Sequence, residues 1–138
     1  MHTLEVHSET AEQPDAARLH KLLTDTLESE QAELGAVSIS FVEPETIRDI
    51  NKRYRSKDRP TDVLSFAADD TFPGAMAQLF VCPAIVRTEA TTAESLLQKL
   101  DELIVHGLLH ALGHEDETEA GKRRMAERTA LILTGPHG

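Results

Sequence analysis

Residues 103–113, LIVHGLLHALG, constrain this chain more than any other stretch. Apart from His106 and His110 the run has no polar side chain. As a helix it has no face to offer water, so it has to lie inside the protein. The pattern predicts a long helix from about Ser95 to Leu112, ended by Gly113, because glycine takes the left-handed conformation that turns a chain sharply back. Two neutral imidazoles inside such a helix need partners for their ring nitrogens. At positions i and i+4 they share one face, about a turn apart, and a single divalent cation satisfies both. Separate hydrogen bonds within the core are the plainer alternative, which would suit a lone histidine better than this pair.

The downstream residues supply further donors. The pattern His106-x-x-x-His110-x-x-Gly113-x-x-Asp116 has the ligand spacing of the HExxHxxGxxH sequence of zinc peptidases, with Asp in the third ligand's place. Carboxylate oxygen binds zinc at about the same distance as imidazole nitrogen, which makes Asp116 the expected third ligand. His114 is its rival, since it would sit one turn further on if the helix ran through Gly113. Two His and one Asp leave one position open, as catalytic rather than structural sites do. The peptidases place a Glu general base directly after the first His. Here that position is Gly107, so a peptidase would lack its base. Two His and a carboxylate also form the iron(II) oxygenase triad, but nothing suggests a β-rich scaffold for one.

Around this helix the chain reads as strands early and helices late. TLEVH (3–7) alternates weakly, as an edge strand does. Leu19, Leu22, Leu23 and Leu27 recur at helical spacing in a stretch opened by Pro14 and Asp15 and ended by Gly35. AVSISFVE (36–43) alternates and is β-branched, so it reads as a strand with one buried face. Pro44 suits the first turn of a short helix over roughly 45–53. Pro60 disfavours helix at Arg59, leaving RSKDR as a loop before a strand DVLSF (62–66). Residues 67–75 form a second loop, AQLFVC (77–82) a fourth strand, Pro83 a helix start, and about Thr118–Leu133 a last helix. The expected fold is α+β, a small, mostly four-stranded sheet covered by helices, zincin-like, with the metal-binding helix buried at its centre. With 138 residues and 40% apolar side chains the chain suits one domain, 1–138.

There is no run of about 18 apolar residues to span a membrane and no basic-then-apolar start. The single cysteine, Cys82, cannot form an internal disulfide; a cytoplasmic protein fits. The formal net charge is −10, which at first sight opposes a nucleic-acid partner. Between Arg48 and Arg59, however, six basic residues stand against two acidic ones, a local balance of +4. Distant charge is screened beyond roughly 8 Å at physiological salt, so this segment can still hold a polyanion. A solvated helix end and loop is the plainer reading of the same charges.

NKRYRSKDRPTDVLSF (51–66) and HGLLHALG (106–113), in this order, resemble the YbeY family of bacterial metal-dependent endoribonucleases. The first block is similar to N-x-x-Y-R-x-K-D-x-P-T-[DN]-V-L-S-F at every fixed position; the second fits H-G-x-L-H-L-x-G apart from Ala111. The resemblance implies a single-strand-specific endoribonuclease of 16S rRNA 3'-end maturation and ribosome quality control. Its partners would be ribosomal RNA and the small ribosomal subunit with its proteins, and no membrane or DNA. The light N/O donor set suits one divalent ion, zinc first, with nickel, cobalt or manganese compatible. The resemblance also implies a metal-dependent reaction and gives Arg55 a functional role. In that role the guanidinium clamps a phosphate bidentately, while Arg53, Lys57 and Arg59 bind RNA and Tyr54 either stacks on a base or packs in the core. Two further positions depart from the family pattern. Asp116 stands where a third His is usual, and Gln78 where an Asp is usual. A ribosome assembly factor with a structural metal is the competing reading.

Overall fold

The computed structural model describes residues 2–67, 77–90 and 92–134. Its elements run β1 (Thr3–Ser8), α1 (Ala16–Glu30), β2 (Ala36–Phe41), α2 (Pro44–Arg55), β3 (Val63–Phe66), β4 (Ala77–Val81), α3 (Pro83–Glu89), α4 (Ala93–Ala111) and α5 (Glu119–Thr134). The expected loop 67–75 lies almost wholly outside the described residues.

The four strands form one mixed sheet in the order β1-β2-β4-β3, so the α+β expectation holds and β1 is an edge strand, as β3 is. β2 pairs parallel with β1 and β4, and β3 runs antiparallel to β4. The parallel β1–β2 pair needs a crossover, which α1 supplies. Val37, Ile39 and Phe41 of β2 and Ala77, Leu79 and Val81 of β4 enter the main core, which α1, α4 and α5 complete. On the other face Leu64 and Phe80, cross-strand partners, meet Ile47 of α2 and Cys82.

Helix α4 is the centre of this arrangement. Ile104, Val105, Leu108 and Leu109 are all at most 1% exposed, and burial of each aliphatic side chain stabilises by about 1.5–3 kcal/mol. Gly107 lets the helix lie close on the sheet. A Cβ there would stand 2.8 Å from Leu79 Cδ2 and 3.6 Å from Val63 Cγ2. The position that holds the peptidases' glutamate therefore faces β4 and β3, with no room for a side chain.

Several boundaries differ from the sequence reading. α1 stops at Glu30 rather than at Gly35, because Gln31 itself takes the left-handed conformation, φ 50°, and its N–H donates to the Glu28 and Leu27 carbonyls. α2 runs to Arg55, two residues past 53, and Ser56 closes it at φ 59°. Arg55 is thus helical and only the remainder of RSKDR is loop. α4 begins at Ala93, capped by the Thr92 hydroxyl accepting from Ser95 N–H. At its other end Gly113, φ +104°, makes the expected turn. Gly113 N–H donates to the His110 carbonyl and His114 N–H to the Leu109 carbonyl, both at 3.0 Å, the paired bonds of a Schellman stop.

Candidate metal centre

The turn after α4 folds Asp116 back over the last turns of the helix. His106 Nε2 and His110 Nε2 lie 3.1 Å apart, and Asp116 Oδ2 is 3.5 Å from each. Zinc bonds of about 2.0–2.2 Å in a tetrahedron separate neighbouring ligand atoms by about 3.3–3.6 Å. The two Asp116 separations lie in that range and the His106–His110 one just below it, so the three donors approximate one face of such a polyhedron and could hold a metal ion. All three side chains keep about a third of their surface exposed, so the cluster opens to solvent rather than being sealed.

The protonation pattern suits a cation. His110 Nδ1 is 3.0 Å from the His114 carbonyl oxygen. A carbonyl only accepts, so Nδ1 is the donor and Nε2 is the ring nitrogen turned to the cluster. Burial, and then the neighbouring His110, hold the His106 imidazole below its ordinary pKa, against the opposing pull of Asp116 and Asp62. Its neutral form, the form that binds metal, is the favoured one.

His114 is not brought to this cluster. Its Nε2 lies 2.6 Å from Glu30 Oε1, because the chain leaves the helix at Gly113 and the ring turns toward the end of α1. Glu30 in turn accepts from Arg128 of α5 at 2.7 Å, and Arg128 also donates to the Ser29 carbonyl and hydroxyl. Burial alone would raise the Glu30 pKa, but the hydrogen bonds from His114 and Arg128 outweigh it and hold the carboxyl below its ordinary value.

Arg55, Lys57 and Arg59 line one wall of an open cleft of about 660 Å³ whose other wall includes His110 and Asp116. The cleft continues past Asp116 along Glu115 and Glu117, so one edge is basic and the other acidic. Arg53 is exposed on α2 and is not among the residues that line it. Arg48 and Lys52 are drawn to Asp58, at 2.7 and 4.0 Å, and neither is among the residues that line the cleft. Tyr54 packs edge-on against Phe66, ring centroids 5.8 Å apart, so its aromatic surface serves the hydrophobic side of α2. His2 and His20 pack against each other, ring centroids 5.2 Å apart.

The family model described as Endoribonuclease YbeY matches residues 3–136. The curated Endoribonuclease YbeY of Geobacillus thermodenitrificans is 36% identical over 143 residues, covering 94% of this chain and 90% of its own. That of Staphylococcus carnosus is 34% identical over 142 residues, with 96% and 90% covered. This chain belongs to the YbeY family. A solution structure of TM1509 from Thermotoga maritima shares the fold, with TM-score 0.59, 24% identity, and 94% of this chain and 86% of that one covered.

Within the YbeY frame, two residues that carry no chemistry of their own hold the cleft together. Ser65 of β3 donates its hydroxyl to the Gly107 carbonyl at 2.7 Å, and its own carbonyl accepts from Arg55 Nη2 at 2.8 Å. One residue thus ties the arginine to the helix that carries the histidines. The guanidinium also lies 4.4 Å from the centre of the Phe66 ring, a cation–π contact that favours a fixed pose. Asn51, 3% exposed, donates from Nδ2 to the Arg59 carbonyl at 2.9 Å, and its backbone carbonyl accepts from Lys57 N–H at 3.2 Å. It pins the loop that presents both cations. A polar side chain at a buried helical position was the available signal for Asn51; Ser65 gave none beyond its place in the block.

Proposed function

We propose that this chain is a metal-dependent endoribonuclease specific for single-stranded RNA, acting as a single domain over residues 1–138. Its place in the proposal is the cytoplasm, in 16S rRNA 3'-end maturation and ribosome quality control, with ribosomal RNA and the small subunit and its proteins as partners. Family membership supports the endoribonuclease activity. The observation that carries the mechanism is the shared cleft, which Arg55 lines together with His110 and Asp116, two of the three donors that converge with His106.

Those three residues would hold one divalent cation, zinc by the size and donor chemistry of the site, with nickel, cobalt and manganese also accommodated by N/O ligands. When bound, the cation supplies Lewis acidity to a phosphodiester and activates water. Arg55 binds the nonbridging oxygens of the scissile phosphate and stabilises the charge that grows on them in the transition state. Its tie to Ser65 means that little reorganisation is needed at that moment. Lys57 and Arg59 guide the flanking strand into the cleft, while Arg53 meets it further out on α2. The acidic edge at Glu115 and Glu117 repels phosphates that would thread past the site, so entry is from the basic side.

The test is cleavage of a single-stranded RNA by the parent, Arg55→Ala and His110→Ala proteins purified in parallel. Both variants should lose cleavage, the first with its metal retained and the second without it. Undiminished cleavage by His110→Ala would remove the metal from the reaction. Binding of RNA without metal-dependent cleavage in the parent would favour an assembly factor.

A further inference from the structure

We propose that Glu30 is a positioning residue of the metal site, acting through His114 to set the turn that carries Asp116. The proposal rests on the metal-site reading above and extends it to residues 84 and 98 positions apart in sequence.

Glu30 is the last residue of α1, where a carboxylate meets the negative end of the helix dipole and no basic residue of the last turn offsets it. Its side chain is nevertheless only 10% exposed. A charge buried in an unfavourable position persists where specific partners hold it, and here both oxygens are taken, Oε1 by His114 and Oε2 by Arg128.

His114 is held at three atoms. Its N–H donates to the Leu109 carbonyl, its Nε2 meets Glu30, and its carbonyl accepts from His110 Nδ1. The third contact is the outer-shell bond that orients a ligand imidazole and fixes its tautomer. Because His114 sits between Gly113 and Asp116, the same anchor also limits where the Asp116 carboxylate can go. Glu30 therefore acts on two of the three donors without touching either. Arg128, bound to Ser29 as well, keeps the Glu30 carboxylate from swinging away. A bracket that only tied α1 to α5 would not need the His114 arm.

Zinc affinity measured by chelator competition on folded protein separates these roles, with thermal unfolding of the metal-free proteins followed alongside. Glu30→Gln and His114→Ala should weaken zinc binding about 10–100-fold, the usual effect of losing an outer-shell partner. His114→Gln, which keeps an N–H donor to Glu30 and the same backbone carbonyl, should restore most of that affinity. If Glu30→Gln and His114→Ala lower the unfolding temperature but leave zinc affinity within a few-fold of the parent, the bracket is only a staple and the proposal is overturned. Should Glu30→Gln not fold, Glu30→Asp, which keeps the charge but withdraws it by one methylene, carries the same expectation. His110→Ala is the reference, since undiminished zinc binding there would overturn the metal-site reading itself, independently of Glu30.

Discussion

Replacing Gly113 with alanine isolates the backbone strain on which the site geometry turns. A Cβ at this position would meet nothing within 4 Å, yet φ is +104°. No clash contributes, so the whole cost is conformational. Holding a non-glycine residue in such a region costs about 1–3 kcal/mol, and the stiffer unfolded chain returns about 0.4–1 kcal/mol of that. The expected net loss is about 1–2 kcal/mol, or about 3–8 °C in Tm for a domain of this size. Gly35 is the matched control. It too has open space around its Cβ, but its φ lies outside the left-handed range, so Gly35→Ala should be neutral or stabilise by up to about 1 kcal/mol. Thermal unfolding of both metal-free variants by circular dichroism reads the difference directly. Gly113→Ala should also weaken zinc binding, because the turn supplies the His110 acceptor and carries Asp116. Equal Tm values for the two variants would refute the strain argument, and a strained Gly113→Ala with parental zinc affinity would refute the link between turn and site.

Other consequences are open to measurement. Gly107→Ala pushes a Cβ to 2.8 Å from Leu79 Cδ2; overpacking costs about 1–3 kcal/mol, helix propensity returns about 1 kcal/mol, and urea titration should show a net loss of about 1 kcal/mol. Removing Lys57 or Arg59 should reduce the slope of log K against log salt for single-stranded RNA by about 0.7 each, while leaving zinc affinity unchanged. The Glu30 carboxyl is held below its ordinary pKa of 4.5, so its stabilising contribution is fully present above about pH 4.5 and is lost as pH falls through the lower folded value. The stability gap between the metal-free parent and Glu30→Gln should therefore be widest at neutral pH and close in acid; a gap that widened in acid would contradict the ion-pair assignment.

The parts of this fold that were legible in sequence are those whose cause is local. The apolar background of His106 and His110 placed α4 in the core, and Gly113 marked its end because only glycine takes that φ cheaply. Pro44 marked the start of α2. The stop of α1 was not legible, because Gln31 adopts the left-handed conformation under the pull of the surrounding structure while Gly35, the obvious breaker, lies beyond. The donor triad could be read because its members fall within eleven residues and share a helix and its turn. The contacts around it could not. Nothing near Glu30 in sequence distinguishes it from the exposed glutamates, since its partners come from α5 and from the turn after α4. Ser65 likewise acquires its role only when β3 packs on α4. The basic segment could be counted but not resolved, as the sequence does not show that Asp58 draws off Arg48 and Lys52 while Lys57 and Arg59 turn into the cleft.

Diffraction from crystals of the zinc-loaded protein, with anomalous data collected at the zinc edge, tests the central claim most directly. One ion is expected at about 2.0–2.2 Å from His106 Nε2, His110 Nε2 and an Asp116 oxygen, with His114 still on Glu30 and Arg55 across the cleft. An ion bound elsewhere, or one whose third protein ligand is His114, would contradict it.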